Sequence, residues 1–367
     1  MEPFKNIYNE QFFDAFTDVV KTVISGFNKT KFTYEIYDKD WEDRELKARM
    51  RHITNVLRKH LSPDYSNSVQ EILKIIVALK QSSISEKSLE FMFFPDFIEV
   101  YGLDDYNTSV AALKTITPFT SCEFAVRPFI IKYQNIMVRE LIEWSKDDNY
   151  HVRRLASEGS RSRLPWAMAI PAFKNDPSPV LPILEQLKND ESEYVRRSVA
   201  NNLNDISKDH PDLVVSIAKK WIGKTPETDK LVKHASRTLL KQGHPELMVL
   251  FGFGQVDKLK IQNFKIVTPV VKIGSDFWFK FDLKNESKSD LKIRLEYGLY
   301  YQKANSTLSK KVYKISEKIY SKKSLTSVER KQSFKLITTR KFHIGLHQVS
   351  LIINGVEFDK YDFDLVN

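Results

Sequence analysis

The pattern of apolar residues changes once along the chain, close to residue 252. Before that point, apolar residues recur about every three to four positions, which is the spacing of amphipathic helices. In residues 7–27 the recurring side chains are Phe12, Phe16, Val19, Val20, Val23 and Ile24. Similar segments separated by short loops follow, and no alternating strand pattern interrupts them. The pattern predicts an all-α domain over residues 1–252.

Beyond Gly252-Phe253-Gly254, apolar and polar residues alternate, which indicates β-strands. The predicted strands are residues 277–283, 291–299, 312–320, 334–339, 346–353, 356–358 and 361–365. Asn354-Gly355 is typical of a type I′ hairpin. Roughly seven or eight short strands predict an immunoglobulin-like β-sandwich. We therefore expect a second domain over residues 256–367.

A short motif recurs in the second half of the helical region. Val152-Arg153-Arg154 is echoed at Val195-Arg196-Arg197 and, more weakly, around Val232. The three valines are 43 and 37 residues apart, close to the period of roughly 40–47 residues in HEAT and armadillo repeats. Such repeats stack into a solenoid whose concave face would here carry Arg153, Arg154, Arg196, Arg197, Lys233 and Arg237. The alternative is an ordinary solvated helix surface.

The net positive charge of the chain is confined to the predicted sandwich. From residue 255 onward there are 22 basic and 12 acidic residues, whereas residues 1–254 hold 35 of each. A basic module beside a neutral one suggests a polyanionic partner. Four basic pairs are expected near strand ends, where loops would present them to phosphate: Lys310-Lys311, Lys322-Lys323, Arg330-Lys331 and Arg340-Lys341.

The sequence also argues against several classes of protein. No apolar run is long enough to span a bilayer and no secretion signal is recognisable at the start, so a cytoplasmic protein is expected. Cys122 is the only cysteine, which leaves no intrachain disulfide and no cysteine-rich metal site. There is no P-loop, no dinucleotide-binding glycine motif, and no HExxH or CxxC motif. Neither a cofactor nor a metal is expected.

Candidate chemistry is concentrated in residues 151–167. Asp147, Asp148 and Asn149 are all suited to cap a helix, and Gly159 is suited to end it in a left-handed conformation, so Glu158 should lie in the last turn. A carboxylate there opposes the helix dipole at a cost of up to about 1 kcal/mol. Local conflicts of this kind are expected at functional sites. The alternative is a surface ion pair between Arg154 and Glu158 that contributes little.

Cationic and aromatic residues follow this predicted helix. Arg161, Arg163 and Trp166 come directly after the expected stop, and Pro165 is suited to open the next helix. One surface would therefore gather cations, a carboxylate and an indole.

Two further carboxylates are candidates for the same surface. Asp205 lies eight residues after Arg197 in the echoing repeat, close to the same helical face. Glu123 opens a predicted helix, where a carboxylate suits the positive end of the dipole. Taken singly, both carboxylates are typical of helix caps or loop anchors rather than of catalysts.

Several segments resemble the AlkC family of DNA alkylation repair glycosylases, HEAT-like repeat proteins related to AlkD. The long central motif HVRRLASEGSRSRLPWA (151–167) is specific, whereas a helical repeat alone would not be. The other matching segments are LKARMRHITNVL (46–57), PDFIEVYGLDD (95–105), SCEFAVRPF (121–129), YVRRSVANNLNDISKDHPDLV (194–214) and LVKHASRTLLKQGHPELM (231–248). The resemblance covers nearly the whole chain. It implies the variant of the family that carries a C-terminal immunoglobulin-like domain.

The resemblance also implies an active site. It assigns Glu123, Glu158 and Asp205 as catalytic carboxylates, with Trp166 in the site and Phe124 and Arg154 beside them. The position of Ser162 is often proline in the family, a small departure. The implied reaction is hydrolysis of the N-glycosidic bond of 3-methyladenine and 3-methylcytosine in duplex DNA, without base flipping. We expect contacts to the substrate or the DNA from eight residues: Phe124, Arg154, Arg161, Arg163, Trp166, Arg197, Lys233 and Arg237. We further expect a monomer and, because no lysine is placed among the active-site residues, no strand cleavage.

The chemistry of these lesions suits carboxylates. A base methylated at N3 is cationic and leaves as a neutral molecule, so the difficulty moves to the oxocarbenium-like sugar and to the water. An alternative is a non-catalytic HEAT scaffold that binds DNA or protein. A protein-binding scaffold alone would leave the paired arginines and the basic sandwich unexplained.

Overall fold

The computed structural model describes residues 3–85, 89–337 and 340–367. The chain forms two compact units, the first made of Met1–His210 and Trp221–Ala235, the second of Pro211–Lys220 and Ser236–Asn367. Helices are followed along the chain by a β-sandwich, which confirms the predicted fold class. The domain bounds 1–252 and 256–367 remain a prediction, because the compact units group helical segments before residue 252 with the sandwich.

Fifteen α-helices lie in the described residues. They are α1 Glu10–Val23, α2 Lys29–Ile36, α3 Leu46–His60, α4 Tyr65–Leu79, α5 Phe93–Tyr101, α6 Tyr106–Ile116, α7 Val126–Trp144, α8 Tyr150–Gly159, α9 Pro171–Asn175, α10 Leu181–Leu187, α11 Glu193–Ile206, α12 Pro211–Trp221, α13 Pro226–Ala235, α14 Arg237–Lys241 and α15 Pro245–Leu250. None of the helices in the described ranges is long and apolar enough to cross a membrane.

The repeated motif lies on three helices that pack side by side. Its valines, Val152 in α8, Val195 in α11 and Val232 in α13, are all buried. Helix α11 packs against α8 on one side and α13 on the other, and α8 packs against α7. The apolar position of each repeat therefore holds neighbouring layers together, as the helical spacing predicted.

Within residues 256–337 and 340–367, which the structure describes, the sandwich consists of eight strands in two sheets. The strands are β1 Leu259–Ile266, β2 Val270–Lys272, β3 Asp276–Asn285, β4 Leu291–Gln302, β5 Leu308–Tyr320, β6 Leu325–Ser333, β7 Gly345–Ile353 and β8 Val356–Val366. One sheet has the order β1-β3-β6, and the other has the order β2-β8-β7-β4-β5. All pairs are antiparallel except β2 with β8. Alternate residues of β3 and β4 face a shared aromatic and aliphatic core.

The structure confirms the predicted hairpin and corrects several details of the predicted strands. Asn354 and Gly355 both have positive φ and join β7 to β8, as a type I′ hairpin requires. The expected strand 334–339 is wrong where it is described, since β6 ends at Ser333 and Phe334 enters the core; Thr338 and Thr339 lie outside the described residues. The expected strands 356–358 and 361–365 form one strand, β8. The pairs Lys310-Lys311 and Arg330-Lys331 lie inside β5 and β6 rather than in loops.

Candidate active site

A cleft of about 440 Å³ opens in the first unit beside α3, α8 and the loop that follows α8. Glu123 and Glu158 line it, and Asp205 is bonded to Arg161, which also lines it. The remaining lining residues are mostly apolar or aromatic: Tyr8, Leu46, Lys47, Met50, Leu89, Met92, Thr120, Ser121, Phe124, Arg154, Leu164, Pro165, Trp166 and Tyr194. The three predicted carboxylates thus belong to one connected set of side chains.

Glu158 lies in the last turn of α8, and this end of the helix packs closely against α7. Of the three cap-type residues, Asn149 caps the helix by accepting a hydrogen bond from the amide of His151. The predicted left-handed conformation of Gly159 is wrong, because Gly159 is the last residue of the helix and lacks a positive φ. Its role is close packing, since a Cβ there would lie 2.5 Å from Cγ1 of Val126 on α7. Glu158, the residue before Gly159, is only 5% exposed.

Arg161 joins the two most buried carboxylates. Its Nη1 lies 2.6 Å from Oε1 of Glu158, and its Nε and Nη2 each lie 2.7 Å from Oδ2 of Asp205. Burial lowers the pKa of Arg161, but the charges and hydrogen bonds of both carboxylates outweigh burial and raise it above its ordinary value. Asp205 is only 2% exposed, and its Oδ1 accepts a hydrogen bond from Nζ of Lys208 at 2.8 Å. Both oxygens of Asp205 are therefore engaged.

Glu123 is paired with Arg154. It lies just before α7, whose N-cap is Ala125, so Glu123 is not the helix cap that its position suggested. Its Oε2 accepts a hydrogen bond from Ser121 at 2.8 Å and forms an ion pair with Nη1 of Arg154. Nη2 of Arg154 also lies 3.6 Å from Oε1 of Glu158, and its Cζ lies 4.8 Å from the ring centroid of Tyr194. Arg154 thus links two carboxylates and an aromatic ring along the cleft.

A buried arginine supports the loop after α8. Arg127 of α7 donates hydrogen bonds to the carbonyls of Gly159 at 2.9 Å, Arg161 at 2.7 Å and Met168 at 2.6 Å. Burial, and then the charge of Arg161, lower the pKa of Arg127 to about 10. The side chain is therefore still protonated near neutral pH, so three charge-assisted bonds fix the ends of this loop.

Pro165 and Trp166 form a turn instead of starting a helix. The amide of Ala167 donates to the carbonyl of Leu164 at 3.2 Å, and α9 begins only at Pro171. Trp166 has a φ of +66° and is 66% exposed. The indole therefore projects from a strained backbone at the cleft.

The other predicted contact residues are spread more widely. Arg163 is half-buried and forms an ion pair with Asp209. Arg197 is exposed on α11 and lines a separate polar depression near α13. Lys233 lies in α13 of the first unit, and Arg237 starts α14, in the second unit. The described residues that line the cleft do not include Arg163, Arg197, Lys233 or Arg237.

Sequence reasoning missed two lysines at the site. Lys208 binds Asp205, as described above, and Nζ of Lys47 donates to the carbonyl of Trp166 at 2.8 Å while lying 5.7 Å from the ring centroid of Phe124. The expectation that no lysine lies among these residues is therefore wrong. Lys208 is one turn beyond Asp205, and helical spacing would have indicated it. Lys47 is 119 residues away from Trp166 in sequence, and no local signal points to it.

The site is a set of alternating charges rather than an acidic patch. Each carboxylate has an arginine within ion-pair distance: Arg154 for Glu123, and Arg161 for Glu158 and Asp205. No cluster of His, Cys, Asp and Glu suited to a metal ion was found in the part of the chain that the structure describes. Ion-paired carboxylates facing an aromatic cleft can stabilise positive charge that develops on a bound molecule and can orient a water molecule.

The chain is similar to known proteins over its whole length. The family described as "DNA alkylation repair enzyme" matches residues 105–242, and the family described as "Uncharacterised protein YhaZ, C-terminal Ig-like domain" matches residues 260–367. The uncharacterized protein YhaZ of Bacillus subtilis is 43% identical over 365 residues, covering all of both chains. The structure of the alkylpurine DNA glycosylase AlkC of Pseudomonas fluorescens, bound to DNA containing an abasic site analog, matches all of both chains with a TM-score of 0.93 and 31% identity.

Proposed function

The chain belongs to the AlkC-like family of DNA alkylation repair enzymes, and on that premise we propose that it is a DNA glycosylase for cationic N3-alkylated bases. The substrates that we propose are 3-methyladenine and 3-methylcytosine in duplex DNA. The observation that carries the proposal is the joint placement of Glu158 and Asp205 on the buried Arg161, beside an exposed tryptophan in the same cleft. Chemistry of this kind needs carboxylates whose positions are fixed before the substrate arrives.

The proposed reaction is hydrolysis. The bond between the sugar C1′ and the base breaks, and its electron pair neutralises the cationic base, which leaves without needing a proton. Water adds to C1′ of the oxocarbenium-like sugar and gives up one proton to a carboxylate or to solvent. A carboxylate about 4 Å from the developing charge, at an effective dielectric of about 20, would contribute roughly 4 kcal/mol, or about a thousandfold in rate.

Glu158 is our candidate for the carboxylate that faces the sugar and the water. It lines the cleft, whereas Asp205 has both oxygens bonded and is reached through Arg161. Asp205 would act in catalysis if Lys208, which is 41% exposed at its side chain, moved to a DNA phosphate and released Oδ1. Glu123 would support both by holding Arg154. This division of roles is part of the proposal.

We propose that the lesion is reached without base flipping. Trp166 would lie against the cationic nucleotide through its π face, and Phe124 and Arg154 would border the same opening. Arg163, Arg197, Lys233 and Arg237 would contact the DNA backbone. Because Arg161 is buried and bonded to two carboxylates, its proposed role is to position them rather than to bind DNA.

The basic sandwich would supply much of the DNA affinity, since the helical part of the chain has no net charge. Binding should then weaken with salt at a slope of about −0.9 per neutralised phosphate. Deletion of residues 255–367 would be a poor test, because Asn354 and Lys292 donate to the carbonyls of Gly254 and Phe251 within the second unit. Replacing Lys318, Lys322 and Lys341, all exposed, with glutamine should instead lower the slope while leaving the fold intact. An unchanged slope would count against this role.

The remaining parts of the proposal concern the state of the protein. We propose a monomeric cytoplasmic protein with a helical catalytic domain over residues 1–252 and a sandwich domain over residues 256–367, acting without a cofactor. We propose a monofunctional enzyme, because Nζ of Lys47 and Nζ of Lys208 are each held by a hydrogen bond to a protein oxygen and not directed at a bound sugar. Borohydride should therefore trap no covalent complex with DNA.

The proposal is tested by measuring base release from three duplexes that carry 3-methylcytosine, 3-methyladenine or, as a neutral control, uracil. We expect free base from the first two duplexes and none from the third. Tight binding to all three duplexes with no release would favour the alternative, a non-catalytic DNA-binding scaffold. Release of uracil would contradict the central role of the cationic base.

A further inference from the structure

Trp166 occupies a backbone position that normally requires glycine. The carbonyl of Leu164 accepts from the amide of Ala167, with Pro165 second and Trp166 third in a four-residue turn. Proline at the second position and a positive φ at the third are the marks of a type II turn, in which glycine or asparagine is usual at the third position. A bulky side chain with a φ of +66° is a strained outlier. Surrounding contacts must therefore hold this conformation.

Packing of the indole does not hold the backbone of Trp166 in this conformation. Two-thirds of Trp166 is exposed, so few contacts oppose rotation of its side chain or relaxation of its backbone. The loop is fixed before the turn and after it by the bonds of Arg127 to Arg161 and Met168. The bond to Trp166 itself comes from α3, where Nζ of Lys47 donates to its carbonyl at 2.8 Å. That bond fixes the peptide plane that follows the strained residue.

We propose that Lys47 is a positioning residue, which holds the strained turn so that the Trp166 indole keeps its orientation at the cleft. Lys47 also lies over the ring of Phe124, with Nζ 5.7 Å from its centroid, so one ammonium group relates the two aromatic side chains to each other. The effect of Lys47 on catalysis rests on the proposed function. The contact between Lys47 and Trp166 does not, because it is made within the protein without DNA. It gives a role to the segment 46–57, to which the site chemistry assigns none.

A simpler role for Lys47 makes different predictions. An exposed lysine beside a DNA cleft is also suited to bind a phosphate directly. Loss of a phosphate contact would lower the salt slope of binding by about 0.9 and would leave the rate at saturating DNA unchanged. Loss of a positioning contact would leave the slope unchanged and would slow base release at saturating DNA.

The conformational part can be measured without DNA. The chain has five tryptophans, so protein labelled with 5-fluorotryptophan should give five 19F resonances, and the one missing in Trp166→Phe is that of Trp166. We expect Lys47→Met to shift or broaden this resonance and to leave the other four in place. Lys47→Arg, which can still donate to the carbonyl, should restore it. Lys59→Met, on the same helix and exposed, is the matched control.

The catalytic part is measured by a double-mutant cycle of single-turnover base release. Lys47→Met should slow release about tenfold, as expected for the loss of one charge-assisted hydrogen bond. In a Trp166→Ala background the same change should slow release less than about twofold, because contacts that act through one another are not additive. An equal loss in both backgrounds, or an unmoved Trp166 resonance, would overturn the proposal. Absence of base release by the wild type would overturn the proposed function instead, and the NMR result would still decide the role of Lys47.

Discussion

Replacing Arg161 with methionine should damage the site far more than replacing Arg163 in the same loop. Methionine has a similar length but cannot pair with Glu158 and Asp205, whose bonds to Arg161 are 2.6 and 2.7 Å long. Removal of one member of a buried ion-paired group typically costs about 3–5 kcal/mol, because it leaves uncompensated buried charge. Arg154 and Lys208 remain near the two carboxylates, so we expect the lower end of that range.

The matched control is Arg163→Met in the same loop. Arg163 pairs with Asp209 closer to the surface, with side-chain exposures of 32% and 27%, so its loss should cost about 1 kcal/mol or less. Hydrogen exchange of the amides in α8 and α11 measures the difference locally, which avoids treating a chain of two compact units as a two-state system.

Neutralising the partners should repair the damage. Glu158→Gln and Asp205→Asn, combined with Arg161→Met, should recover most of the lost protection, because no buried charge is then left alone in the group. The triple variant should still release no base. Equal losses of protection in Arg161→Met and Arg163→Met would refute the reasoning that Arg161 holds the site together.

Three further changes have defined outcomes. Gly159→Ala places a methyl group 2.5 Å from Cγ1 of Val126 and should lower the opening free energy of the α8 amides by about 1–3 kcal/mol in hydrogen exchange; Val126→Ala in the same protein should recover part of the loss. Arg197→Met should reduce the salt slope of DNA binding by about 0.9 without changing the rate at saturating DNA, as titrations between low and high salt would show. Burial lowers the pKa of His347 below its ordinary value of 6.5, so the unfolded chain binds a proton more readily. Stability should therefore fall as pH drops below about 6.5, and a thermal melt of His347→Gln should show a weaker pH dependence.

The overall architecture could be predicted from the sequence because two periodicities carry it. The three-to-four-residue spacing before residue 252 and the alternation in residues 277–283 each depend only on which side chains must be buried. The valines of the repeat are buried for the same reason. The strand 334–339 was predicted wrongly because Phe334 reaches the core from the segment that follows β6. The pattern of apolar residues alone does not distinguish such a residue from one at the end of a strand.

The candidate site could be predicted only in part. Glu158 stood out because it conflicts with the helix dipole, and the resemblance to AlkC brought Glu123 and Asp205 together with it. The role of Gly159 was misread, because local sequence cannot show that Val126 of a neighbouring helix requires the missing side chain. The turn at Pro165 was misread because tryptophan is unusual at a positive φ, so the local pattern argued against the true conformation.

The central claim is most directly tested by base release from a duplex with one 3-methylcytosine, comparing wild type with Glu158→Gln. Glutamine keeps the shape of the side chain and removes its charge. Glu143→Gln, an exposed glutamate on α7, is the matched control. We predict that Glu158→Gln slows single-turnover release between about tenfold and a thousandfold, because Arg161 and Arg154 already balance part of the charge of Glu158, while DNA binding persists. Release at the wild-type rate by Glu158→Gln would contradict the account.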